Sequence, residues 1–176
     1  RFTLPVAAVT GSNGKTTTKE MMAAVLGGLG PVLKPEASFN NQWGLPLTVL
    51  QLTPAHRAMA LELGTNRPGE IAALAAIARP TVAAVTVVST AHTEFLGSLD
   101  EVATEKGALV EAVPSEGAVV LNADDPRVLG MRSRSRARVL TVSVREPADV
   151  PAVDVADEAD GRLLVVSARE GLLLRR

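Results

Sequence analysis

The chain has 176 residues, 47% of them hydrophobic, with a net charge of −1. That suits one domain with a buried core and gives no electrostatic reason to expect nucleic acid. There is no cysteine, so disulfides and thiolate metal sites are excluded, and no apolar run reaches the roughly 18 residues of a membrane span. Arg1 leads straight into the first strand without a signal peptide, so a cytoplasmic, soluble, monomeric protein is expected. With one Trp, three Phe and no Tyr, the aliphatic residues must build the core. Lysine is scarce beside arginine, which draws attention to Lys15 and Lys106.

Pro5–Val9 reads as a short apolar strand. Thr10-Gly11-Ser12-Asn13-Gly14-Lys15-Thr16-Thr17 follows, and then a helix over Thr16–Leu29 with an apolar stripe at 21, 22, 25, 26 and 29. A glycine loop between a strand and a helix can wrap phosphates with its N–H groups, helped by the positive helix end. Lys15 would reach the outer phosphates and the Thr16 hydroxyl would meet Mg²⁺. The loop is the short TGxxGKT form, because Val9 stands where GxxxxGK[ST] has its first glycine.

Residues 31–33 suit a short strand, 36–44 a polar asparagine-rich loop, and Leu45–Leu52 a short helix with Pro46 in its first turn. Arg57–Leu63 is a strand ending near Glu62, and Pro68 opens a helix through Ala78. Thr81–Val88, nearly all apolar, suits a central parallel strand. Ser98-Leu-Asp-Glu101 is a capping box for a helix to about Val113. Gly117–Leu121 and Ala137–Val142 are strands around a short helix at Asp125–Arg132. Arg132, Arg134, Arg136 and Arg138 alternate as a solvated edge would. The expected architecture is α/β, a doubly wound, mostly parallel sheet with a P-loop and right-handed crossovers. Residues 146–176 form a small antiparallel β appendage of the same single domain, 1–176.

Ligands of such sheets bind beyond the C-terminal strand ends, where several candidates fall. Glu62 could share Mg²⁺ with Thr16, or simply pair with an arginine. His92, four residues past Val88, could ligate a metal or move a proton, or be a surface or packing residue. His56, in a Pro-Ala-His-Arg turn, has no such promise. Lys106 falls on the apolar stripe Val102, Leu109, Val110 and Val113. Burying its ammonium is costly unless it is paired or neutralised; a snorkelling lysine at the helix edge is the other possibility. Asn122, in Asn122-Ala-Asp-Asp125, could contact a nucleotide or serve a strand-to-helix turn.

Together these segments resemble the central ATPase domain of the Mur ligase family. The resemblance lies in Thr10–Glu20, Phe39-Asn-Asn-Gln-Trp-Gly-Leu-Pro-Leu-Thr48, Glu62-Leu-Gly-Thr-Asn-Arg-Pro-Gly-Glu-Ile71, Ala91-His92 and Asn122–Pro126. It implies ATP and two Mg²⁺ ions as cofactors. Thr16 and Glu62 would hold one metal. His92 would hold the second, together with Lys106 once carbamylated. Phosphoryl transfer to a carboxylate would give an acyl phosphate that an amine attacks, with Lys15, Lys106 and His92 serving the chemistry. The second and third segments favour the branch that joins D-alanyl-D-alanine to UDP-N-acetylmuramoyl-tripeptide, its partners in the full-length parent. By the same resemblance the chain is an excised central domain, without the UDP-sugar and amine-substrate domains, and its adenine-contacting segment is expected beyond Arg176. Such a fragment would bind ATP weakly and not ligate alone. The other readings are a different Mur-type, folylpolyglutamate-type or cyanophycin-type ligase, a P-loop switch or motor, and a non-catalytic nucleotide-binding module.

Overall fold

The strands are β1 (Val6–Thr10), β2 (Val32–Leu33), β3 (Ala58–Glu62), β4 (Val82–Val85), β5 (Ala118–Asn122), β6 (Arg138–Ser143), β7 (Val150–Glu158) and β8 (Gly161–Val166). They form one sheet, ordered β2-β3-β1-β4-β5-β6-β7-β8, in a computed structural model that describes residues 3–36, 39–90, 97–158 and 161–166. The pairings from β2 to β7 are all parallel, and β7 pairs antiparallel with β8. The helices are α1 (Lys15–Leu26), α2 (Gly44–Val49), α3 (Glu70–Ala78), α4 (Leu99–Ala112) and α5 (Pro126–Gly130).

From β1 the chain crosses towards β2 through α1, whereas later crossovers run the opposite way along the sheet. Right-handed connections therefore place α1 on one face and α2–α5 on the other. The contacts agree: α1 touches β1, β2 and β3, while α2 meets α3, α3 meets α4 and α4 meets α5. β1 and β3 are buried at every residue, as strands covered on both faces should be. Small strand residues such as Ala8 and Ala83 let Ile71, Leu74, Val102 and Leu109 of the helices close on the sheet.

Three elements differ from the sequence expectation. The α1 stripe is turned: Met21, Val25 and Leu29 are exposed, and the helix buries Lys19 and Ala23. The inward face follows from the loop, because Lys15 and Lys19 share it, and Lys19 Nζ holds the Pro35 carbonyl at 3.3 Å. Helix α3 begins at Glu70, two residues after Pro68, because Gly69 takes a left-handed φ of 86° that ends the preceding turn. Finally β4 stops at Val85. Residues 86–89 leave the ladder to support the glycine loop, so an apolar run that looks like one long strand is divided between two tasks.

Candidate functional site

Four strands end on one rim. From β1 the chain enters the glycine loop; β3 ends at Glu62, β4 leads into Thr86, and β5 ends at Asn122. The loop is bound to the exit of β4. Ser12 N–H donates to the Val87 carbonyl (2.7 Å), the Thr86 hydroxyl to the Asn13 carbonyl (2.6 Å), and Ser89 N–H to Ser12 Oγ (2.9 Å). Asn13 Nδ2 adds a bond to Ser89 Oγ at 3.3 Å, and the buried Thr10 hydroxyl donates to the Leu63 carbonyl at 2.9 Å. Gly11, at φ 153°, has no room for a Cβ, which would strike the Thr86 side chain. Gly14, at φ 81°, opens α1 without any side-chain cap or first-turn acid. The first amides of α1 therefore have no side-chain acceptor, and the positive helix end faces the rim. Lys15 Nζ folds back over the loop to the Gly11 carbonyl (2.9 Å) and the Ser12 carbonyl (3.4 Å).

Glu62 is 2% exposed. One carboxylate oxygen accepts the Thr16 hydroxyl at 2.8 Å, and the other accepts Asn40 Nδ2 at 2.5 Å. The structure thus joins Thr16 to Glu62, two hard oxygen donors of the kind Mg²⁺ takes. In the sequence Asn40 belongs to a polar loop and to a segment of the family resemblance, with no role of its own assigned. Its asparagine pair was the available signal: Asn41 Oδ1 accepts Trp43 N–H (3.0 Å) and Gly44 N–H (2.9 Å) to start α2, which leaves Asn40 aimed at Glu62. Gly64 permits this approach, since its N–H donates to the Asn40 carbonyl at 2.8 Å and a Cβ there would meet the Asn40 amide.

Lys106 is 2% exposed, on the inward face of α4 beside Val102 and Leu109. Its amine opens into a cavity of about 220 Å³, lined also by Lys15, Asn40, Trp43, Thr65, Asn66 and Glu70. Among the described residues no hydrogen bond or ion pair holds that amine. Burial, and then the Lys15 ammonium across the cavity, push Lys106 down from 10.5 to about 8, with the Glu105 carboxylate acting in the opposite sense. The lowered value makes the amine easier to deprotonate than an ordinary lysine, and the deprotonated form is a nucleophile.

Asn122 is engaged within the protein: its Nδ2 donates to the Thr86 carbonyl (2.8 Å) and its Oδ1 accepts Asp124 N–H (3.0 Å). Asp125 caps α5 and also accepts Val88 N–H at 2.7 Å. Both residues thus stiffen the segment that supports the loop. His56 is bound within its own turn, its Nδ1 accepting Thr53 N–H at 3.1 Å. Thr17 is exposed on the first turn of α1. His92 lies outside the described residues, among which no cluster of three or more His, Cys, Asp or Glu could hold a metal. Nor, among those residues, is any helix long and apolar enough to cross a membrane.

Comparison with known proteins identifies relatives of this arrangement. The model of the Mur ligase middle domain matches residues 9–173. Over 147 residues the chain is 48% identical to the UDP-N-acetylmuramoyl-tripeptide–D-alanyl-D-alanine ligase of Mycobacterium bovis, covering 84% of this chain and 29% of that protein. Among solved structures, MurF from Acinetobacter baumannii superposes with a TM-score of 0.89 at 30% identity, covering 96% of this chain and 37% of that one. MurF from Thermotoga maritima, in complex with ADP, gives 0.84 at 31% identity, covering 95% and 39%. The chain therefore spans less than a third of the length of the curated relative.

Proposed function

The chain belongs to the Mur ligase family, matching its middle domain, and from this premise we propose that it is the ATP- and Mg²⁺-binding domain of a peptide ligase. The ligase joins D-alanyl-D-alanine to UDP-N-acetylmuramoyl-tripeptide in peptidoglycan precursor synthesis; the relatives' names support that substrate pair. The single observation that carries the nucleotide part is the junction of Thr16 with Glu62, at the end of an uncapped helix and beside a cavity holding two lysines. The longer relatives suggest where the other substrates are gripped, in regions corresponding to their additional length.

Thr16 Oγ1 and the Glu62 carboxylate would hold Mg²⁺, which supplies charge neutralisation on the phosphates. The loop amides from Gly11 to Thr17 would cradle the phosphate chain. Lys15 would exchange the Gly11 and Ser12 carbonyls for phosphate oxygens and stabilise charge on the moving phosphoryl. A substrate carboxylate oxygen attacks the γ-phosphorus; the bond from that phosphorus to the β-bridging oxygen breaks, giving ADP and an acyl phosphate. The incoming amine then attacks the acyl carbon, loses a proton, and the tetrahedral intermediate expels phosphate to leave an amide.

Lys106 fits carbamylation. Its ammonium, once it has shed one proton, adds to CO₂ as the free amine, forming an N–C bond and releasing a second proton, so a buried cation becomes an anion facing Lys15. That anion and His92 would be the donors for a second Mg²⁺. The decisive experiment is calorimetric titration of the chain with ADP, with and without Mg²⁺. Binding strengthened by Mg²⁺ in the wild type and insensitive to it in Glu62→Gln supports the reading; Mg²⁺-independent binding in both refutes it. Ligation assays with ATP, the acid and D-alanyl-D-alanine test the reaction itself.

A further inference from the structure

The residue before Lys106 is also buried, and nothing in the chemistry above uses it. Glu105 is 7% exposed. Its carboxylate reaches from α4 to the start of α3, where one oxygen accepts Gly69 N–H (2.7 Å) and the other accepts Ile71 N–H (2.7 Å); the Thr65 hydroxyl, which has the Arg67 carbonyl at 2.9 Å, lies 3.3 Å from that second oxygen. Helix α3 has no side-chain cap of its own, since Gly69 stands at its N-cap. Its own Glu70 turns back to the Asn66 and Arg67 amides at 2.6 and 3.0 Å. Two carboxylates, one from each helix, therefore fill the donors of a single turn. That turn forms one wall of the cavity through Gly64, Thr65, Asn66 and Glu70, and Lys106 forms another. Adjacent helical residues point about 100° apart, so fixing the direction of Glu105 fixes that of Lys106.

We infer that Glu105 is a positioning residue: by clamping the turn at residues 65–71 onto α4, it sets where the Lys106 amine stands in the cavity. The cavity's use in ligation rests on the function proposed above, whereas the clamp does not. A carboxylate suits this task because it offers acceptors only, and two backbone amides converge on it, one on each oxygen. A glutamine would have to turn its NH₂ towards one of those donors, and an aspartate is too short to reach both amides.

The test uses Glu105→Gln and Glu105→Asp in the chain as it stands. The Asp variant keeps the charge and removes only the reach, which separates geometry from electrostatics. Hydrogen exchange is read at the Gly69 and Ile71 amides, with those of β1, β3 and β4 as controls. The Lys106 amine is read by brief acetic anhydride labelling and peptide mass spectrometry, with Lys19 and Lys34 as internal references. Both variants should exchange at least tenfold faster at Gly69 or Ile71, label at least threefold faster at Lys106, and leave the control amides unchanged. Unchanged exchange would overturn the clamp, and unchanged Lys106 labelling in the Asp variant would overturn the coupling. If Gln prevents folding, the Asp variant gives both readings alone. Failure of the wild type to bind Mg²⁺ and ADP would reject the ligase function and leave these results intact.

Discussion

Lys106→Met replaces a buried amine by an apolar chain of similar length, and its effect follows from the cavity. The wild-type amine is displaced from 10.5 to about 8 by burial and by Lys15. One pKa step is worth about 1.4 kcal/mol, so holding this proton in the folded state at neutral pH costs about 3 kcal/mol. The folded value lies below the unfolded one. The unfolded chain therefore binds more protons between pH 8 and 10.5, and stability rises with pH across that window. The penalty is complete below pH 8 and vanishes above 10.5. Lys106→Met should thus be the more stable protein by about 3 kcal/mol near neutral pH, with the gap closing as pH rises. Urea unfolding of both proteins at a series of pH values measures it. Other lysines titrate in both proteins and cancel in the difference. A gap that does not change with pH would refute the reasoning. Bicarbonate should raise the stability of the wild type alone, since a carbamate would face Lys15 as an anion.

Thr16→Val removes one bond to Glu62 while Asn40 keeps the other. Calorimetry should show Mg²⁺-dependent ADP affinity weakened about tenfold or more, with folding stability changed by about 1 kcal/mol. Gly11→Ala forces a Cβ into the Thr86 side chain at φ 153° and should cost about 2 kcal/mol or more in thermal unfolding. Burial tends to raise the Asp124 pKa, but the Ser143 hydroxyl and the amides of Val144, Arg145 and Glu146 outweigh it and hold the carboxyl below its usual 3.8. Stability from Asp124 is therefore present above 3.8 and lost as pH falls through the lower folded value, and Asp124→Asn should flatten that acid limb in urea titrations. Ser98→Ala removes the capping-box acceptor of the Glu101 amide (3.2 Å) and should cost about 1 kcal/mol by urea unfolding.

Local signals were sufficient for much of the fold. The strand–loop–helix of residues 6–26 was legible from composition and glycine spacing, and the capping box located α4 within a residue. The place of Lys106 on the apolar stripe was legible because helix periodicity links it to Val102 and Leu109, whereas the choice between a buried and a snorkelling amine was not. Other features were hidden by the same logic. Apolar periodicity assigned Met21 and Val25 to the core of α1, where the sheet instead takes the lysine side. The run at 81–88 gave no sign that its last residues, from Thr86 on, support a loop more than seventy residues earlier. Glu105 carries no signal in the sequence, because nothing in its neighbourhood along the chain reveals the amides of Gly69 and Ile71.

By itself, the sequence determined the order of strands and helices, the presence of a loop suited to phosphate, and the family. These depend on neighbours within a few residues, where periodicity and turn chemistry act. Only the tertiary structure decided which polar groups meet: Thr16 and Asn40 on Glu62, Lys15 and Lys106 across one cavity, and Glu105 on the turn of α3. Those meetings depend on β3 and β4 flanking β1, and on crossovers that bring residues dozens of positions apart to one rim. Hydrogen bonds require distances near 3 Å, and no spacing along the chain encodes them.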